Sequence, residues 1–226
     1  MLTEALRRLK VSKNFDVDKA RQQQINLAKQ ILVKDKLPKE LQNVAGADVA
    51  YKENFAFASI AVLSYADMNV LETQTVKSKI MLPYFPTLLS FREGPAIFEA
   101  FKRIKIHPDV MFVNGQGIAH PYGCGLASHV GVVLKLPTIG VTKSLLCGEA
   151  GPRRGKTASV IYDNRTVGVA LYVKPEKKPV YVSIGNMISL ERAVDITLCC
   201  FRNGKLPEPL RVAHRLSEEK GKNELR

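Results

Sequence analysis

The chain has 226 residues, of which 46% are apolar and 24% charged, a length and balance that allow a sizeable core in a single domain and exclude a disordered protein. Thirty-four Lys and Arg against 21 Asp and Glu leave a formal net charge of +13. A field of that sign gathers polyanions, and a heat-adapted surface would have balanced its lysines with glutamates, so nucleic acid is the partner to expect.

Residues 17–36 space Val17, Ala20, Ile25, Ala28, Ile31 and Leu32 as an amphipathic helix behind an Asp16 N-cap. Three strand-like segments follow, Val44 to Tyr51, Phe55 to Tyr65 and Val70 to Ile80, joined by turns short enough for an antiparallel meander. The pattern then changes period. A helix is expected from Pro95 at its first turn through Ile104, a strand at Val110 to Val113, a helix from Gly125 to Leu136 and a strand at Thr138 to Val141. Residues 148–156 read as a basic, glycine-rich loop. Strands at Ala158 to Tyr162, Val167 to Val173 and Val180 to Ile184 and a helix from Leu190 to Phe201 complete the body, and Ser217 to Arg226 read as a frayed tail. This order implies one α/β domain over 1–226, with a mixed central sheet flanked by helices.

Cys124, Cys147, Cys199 and Cys200 show neither zinc-site pairs nor a secreted disulfide framework, so they are expected as buried small apolar groups. The longest apolar-rich stretch, Phe55 to Ala66, is too short to span a bilayer. With no long apolar run at the first residues, a cytoplasmic protein without a membrane partner is expected.

Asp48 interrupts the apolar strand Val44-Ala45-Gly46-Ala47-Asp48-Val49-Ala50-Tyr51. A carboxylate there costs several kcal/mol unless a cation or a donor meets it, and a bound metal accounts for it more economically than a strand-end turn cap does. Glu93 stands just before the expected helix start, where plain capping accounts for it as well as catalysis does. Asn114 ends an apolar strand and opens a glycine-rich loop, a common place for sites in α/β sheets.

Six ordered blocks now carry a resemblance. Gly46 to Tyr51, Pro83-Tyr84-Phe85-Pro86, Leu88 to Pro95, Asn114 to Pro121, Ala127-Ser128-His129 and Thr138 to Ser144 together look like endonuclease V, and Pro209 to His214 is similar to that family's closing motif. The resemblance implies a ribonuclease H-like fold, with the first and fourth strands as neighbours. It implies a DNA-repair nuclease that recognises deoxyinosine and hydrolyses the second phosphodiester bond 3′ to it, leaving a 3′-hydroxyl and a 5′-phosphate. Asp48, Glu93 and Asn114 would be the metal positions, for Mg²⁺ with Mn²⁺ as a substitute, and Lys143 and His120 would join them in catalysis. Tyr84, held between Pro83 and Pro86 beside Phe85, would be the DNA wedge. Stacking on an unpaired base contributes ~1–3 kcal/mol. Leu89, Gly115, Gly117, His120, Gly125 and Leu126 would form the pocket for the lesion base, with His129 and His214 in support. A monomer is expected.

One position departs from the family. Asn114 stands where a catalytic Asp belongs, nearly isosteric but neutral, so its carbonyl can touch a metal without compensating its charge. An engineered substitution and a natural loss of cleavage both fit, and retention of the other motif positions favours the first. Two other functions remain open on the residues: a non-cleaving nucleic-acid binding protein, and a nuclease directed at inosine in RNA. Arg153, Arg154, Lys156, Lys174, Lys177 and Lys178 are candidate phosphate contacts that also read as a solvated face.

Overall fold

The computed structural model describes residues 15–174, 178–202 and 204–223. Helix α1 (Val17–Ala28) begins at Asp16, whose side chain accepts from the backbone N–H groups of Asp18 and Lys19. The meander follows as β1 (Asn43–Lys52), β2 (Phe55–Ser64) and β3 (Val70–Lys79), then α2 (Leu89–Phe101), β4 (Val110–Asn114), α3 (Leu126–Leu134) and β5 (Thr138–Thr142). Beyond them lie β6 (Glu149–Ala150), β7 (Thr157–Tyr162), β8 (Arg165–Leu171), β9 (Val180–Asn186), α4 (Leu190–Cys199) and α5 (Glu208–Asn223).

The strands form one nine-stranded sheet in the order β3-β2-β1-β4-β5-β9-β8-β7-β6. β1 pairs antiparallel with β2 and parallel with β4, so the first and fourth strands are neighbours as expected. Central strands buried on both faces need apolar side chains on both, and Val110 to Val113 of β4 are fully buried. One face packs Val44, Phe112, Ile139 and Val182 under α4 and α5. The other packs Ala45, Ile60, Met111 and Val113 under α2 and α3. The β7–β8 hairpin turns through Asp163 and Asn164, both at positive φ, the conformation in which a two-residue turn matches strand twist.

Several local expectations are corrected. The helix expected over 17–36 stops at Ala28, because the backbone beyond it pairs elsewhere. The Leu32 N–H donates to Asn186 Oδ1, and the Lys36 N–H donates to the Met187 carbonyl. Helix α2 starts at Leu89 rather than at Pro95, which lies inside it. Proline clashes with the Cβ of the residue before it, and Gly94 has none, so the helix runs through. The tail from Ser217 is helical to Asn223, with Ser217 fully buried; residues 224–226 lie outside the described residues. Gly46 explains why α5 lies so close: a Cβ there would stand 2.1 Å from the Pro209 carbonyl oxygen. Of the cysteines, Cys124 and Cys200 are buried, whereas Cys199 is exposed and Cys147 partly so, because they sit at a helix end and in a surface loop. Among the described residues no helix is long and apolar enough to cross a membrane.

Candidate active site

Parallel pairing sets Ala47 beside Val113, so the next residues of the two strands, Asp48 and Asn114, come together in the middle of the sheet, where β4 ends. The Asn114 amide donates to Asp48 Oδ1 at 2.7 Å. His214, on α5, meets Asp48 Oδ2 through Nδ1 at 2.7 Å, and the Ser217 hydroxyl donates to the same oxygen at 3.3 Å. A carboxylate oxygen only accepts, so His214 carries a proton on Nδ1. Asp48 is 5% exposed, and these donors replace the water that its oxygens lost.

Glu93 arrives from the opposite face on the second turn of α2, which removes the expectation that it caps a helix start. Tyr51, on the face of β1 opposite Asp48, donates its hydroxyl to Glu93 Oε1 at 2.8 Å, and the Arg92 guanidinium lies 4.4 Å from the Tyr51 ring centre. Burial pushes the Glu93 carboxyl up to about 8, the Tyr51 hydrogen bond lowers it in part, and the charge of Asp48 raises it further. Burial, and then the Glu93 charge, push the Tyr51 phenol above its ordinary value. Glu93 and Asp48 therefore share one electrostatic site although they belong to different hydrogen-bonded groups.

This donor set bears on a metal. Two buried acids that repel one another, beside an amide carbonyl, suit a hard divalent cation that prefers oxygen. Among the described residues no group of three or more His, Cys, Asp or Glu is placed to hold a metal, and the third position expected to do so is Asn114. The residues fit a cation with one negative charge fewer than a triad of carboxylates would offer.

Next to Asn114 lies a cleft of ≈ 290 Å³, near the small end for ligand pockets. Leu89, Gly115, His120, Gly125 and Leu126 line it, as does Tyr84, which is 62% exposed at its mouth. Lys143 is exposed on the same rim. Gly117 does not line the cleft. A Cβ there would stand 1.9 Å from the Ile184 carbonyl oxygen, so glycine is needed for close packing on β9.

His120 is a buried, neutral prop. Its Nε2 donates to the Thr87 carbonyl at 3.0 Å, its Nδ1 accepts from the Tyr122 N–H at 3.1 Å, and burial pushes it down to about 4. Thr87 has φ +74°, rare for a β-branched residue, and its carbonyl also accepts from Gln24 Nε2 at 2.7 Å. His120 and Gln24 thus clamp the strained end of the Pro83–Pro86 loop. Within that loop Phe85 stacks on Phe15, with ring centres 5.9 Å apart. His129 lies away from Asp48 between Phe91 and Phe98, and burial pushes it also down to about 4.

Reading the residues alone missed Tyr51, Arg92, Gln116 and Ser217. Ser217 is three residues after His214 on one helical face, a spacing that could have found it had the helix been expected. Gln116 bridges Thr142 Oγ1 and the Ser144 carbonyl through Nε2, tying the loop after β4 to the one after β5. No local signal marks that pairing. Lys177 lies outside the described residues.

A family model described as Endonuclease V matches residues 25–215. An endonuclease V from Thermofilum pendens is 42% identical over 206 residues, which cover 91% of this chain and 89% of the relative. One from Rippkaea orientalis is 42% identical over 210 residues, 91% of each. The solved endonuclease V of Streptomyces avermitilis superposes with a TM-score of 0.87 at 32% identity, over 95% of this chain and 97% of that one. The Ciona intestinalis endonuclease V, in complex with a 24mer DNA containing an inosine followed by a ribo-adenosine, superposes with a TM-score of 0.83 at 29% identity, over 92% and 98%. With the strand order above, these neighbours make the fold ribonuclease H-like, as the resemblance implied.

Proposed function

This chain belongs to the endonuclease V family, a DNA-binding nuclease of DNA repair, and from that premise we propose that it recognises deoxyinosine in DNA and is built to hydrolyse the second phosphodiester bond 3′ to it, leaving a 3′-hydroxyl and a 5′-phosphate. The observation that carries the reading is the Asp48–Asn114 contact at the edge of a base-sized cleft. The lesion base enters that cleft past Tyr84, whose ring stacks in the space the base leaves. Backbone N–H groups near Gly115 and Gly125 can approach it, since glycine puts no side chain between. An N–H there donates to the O6 of hypoxanthine and meets only another donor in the amino group of adenine.

Asp48, Glu93 and the Asn114 carbonyl would hold Mg²⁺, or Mn²⁺ in its place. When bound, the ion supplies Lewis-acid stabilisation of the phosphate and lowers the pKa of the attacking water. Lys143 contacts a phosphate at the rim. His214 and Ser217 keep the Asp48 carboxylate oriented, and His120 holds the wedge loop. Asn114 removes one unit of negative charge from this set, so the chain binds inosine-containing DNA and cleaves it poorly. Every ~1.4 kcal/mol lost in the transition state is a tenfold slowing.

The test is nicking of an end-labelled duplex with one inosine, by this chain and by Asn114→Asp, with Mg²⁺ titrated. Both should bind, and the Asp variant should yield product at least about a hundredfold faster. Robust nicking by the unaltered chain would remove the impairment, and tight binding without product from either would favour a non-cleaving binder. A reading toward RNA draws on the ribo-adenosine beside the inosine in the Ciona complex, and matched DNA and RNA strands decide between them.

A further inference from the structure

A second cavity, of ≈ 400 Å³, adjoins the cleft and shares Lys143 with it. Lys143, Lys174, Lys178 and Lys205 line it, all four exposed, and among the described residues none of its lining is acidic. Its floor is apolar, with buried Leu171 and Val180 beside a partly buried Phe201. These two features together select a ligand. A free phosphate would leave the floor uncovered, and an apolar peptide would leave four ammonium groups unanswered. A nucleotide answers both: its phosphates meet the lysines, and its base and sugar cover Phe201 and the aliphatic floor.

We infer that this cavity is a second nucleotide subsite, which seats an unpaired nucleotide of the same strand whose inosine occupies the first cleft. The inference rests on the reading of the first cleft given above. Lys143 links the two, so a strand that lays a phosphate on Lys143 continues from one cavity into the other in a single direction. The subsite therefore serves the nucleotides on one side of the lesion only. It holds that side of the strand out of the duplex while Tyr84 fills the gap left by the lesion base.

The test uses the full chain without divalent metal and fluorescence anisotropy with labelled single-stranded oligodeoxynucleotides. Inosine is placed at the centre, at the 5′ end or at the 3′ end, with guanine controls. Phe201→Ala should weaken the central probe about fivefold or more. Lys178→Ala with Lys205→Ala should lower the log–log salt slope by about 1.4, the value for two single-strand phosphate contacts. Both losses should persist on one end-placed probe and vanish on the other. Equal losses on the two end probes, or no loss on any probe, would overturn the second subsite. Phe201 packs on the core, so if Phe201→Ala does not fold, the exposed lysines carry the test alone. Failure of the unaltered chain to prefer inosine over guanine would instead overturn the substrate reading, and the variant losses on the central probe would still judge the second cavity.

Discussion

At Asp48 three donors converge on one carboxylate, and the amide of Asn114 is the nearest match for Oδ1. With Asp at 114 that donor becomes a second carboxylate at hydrogen-bonding distance, and like charges so close do not both ionise without a cation. Asn114→Asp should therefore lower the melting temperature of the metal-free protein by roughly 5 °C. Mg²⁺ should raise the melting temperature of the variant by more than that of the parent chain, and equal shifts in differential scanning fluorimetry would contradict the shared site. Glu93 sets a pH dependence of the metal-free protein. Its carboxyl ordinarily titrates near 4.5 and is pushed up to about 8 in the fold, so between those values the folded chain keeps a proton that the unfolded chain has released. Stability from this group is whole below about pH 4.5 and is lost as pH rises through 8. His120 and His129, depressed to about 4, act in the opposite sense below their ordinary 6.5. The difference in melting temperature between the parent chain and Glu93→Gln isolates the Glu93 contribution: it should decline from pH 5 to pH 8, and a flat difference would mean that Glu93 is already ionised.

Among the elements, the packing of α5 on β1 decides the most. A Cβ on Gly46 would stand 2.1 Å from the Pro209 carbonyl oxygen and 2.5 Å from the Leu210 nitrogen, and backbone cannot swing aside as the end of a side chain can. Gly46→Ala therefore pushes the helix away and withdraws His214 and Ser217 from Asp48. The expected loss is about 1–3 kcal/mol of unfolding free energy, measured by urea denaturation, with weaker Mg²⁺ binding. Gly151→Ala is the control, because its Cβ would meet nothing closer than the Ser159 carbonyl oxygen at 3.6 Å, and it should be close to neutral. Equal effects from the two would break the proposed link between helix seating and site. The same reasoning applies at α2, whose passage through Pro95 places Glu93 on its buried side instead of at its tip.

Over the whole molecule the formal charge of +13 makes nucleic-acid binding steeply dependent on salt. Four phosphate contacts on duplex DNA give a log–log slope of roughly −3.6, or a loss of about a hundredfold in affinity between 50 and 200 mM salt. A flat salt titration would show that the lysines and arginines are only a solvated face. The meander was legible in the residues because short strand-like runs bounded by polar turns are a local signal, and its strand limits agree to within a residue. The family was legible because its blocks are contiguous runs, each readable without knowing the fold. Other features were not written locally. Asn114 is 66 residues from Asp48 and His214 is 166 away, and only the parallel pairing of β4 with β1 and the seating of α5 bring them together. The end of α1, the seating of the helix in the expected tail and the packing duty of Gly117 were each decided by a partner distant in sequence. The sequence by itself determined the central strands, the charge and the membership of the family, since composition and motif are properties of neighbours along the chain, whereas strand β6 in the expected 148–156 loop and helix α5 in the expected tail were not legible in it. Tertiary structure alone decided which groups share a site, because burial and close backbone approach exist only once distant segments have packed.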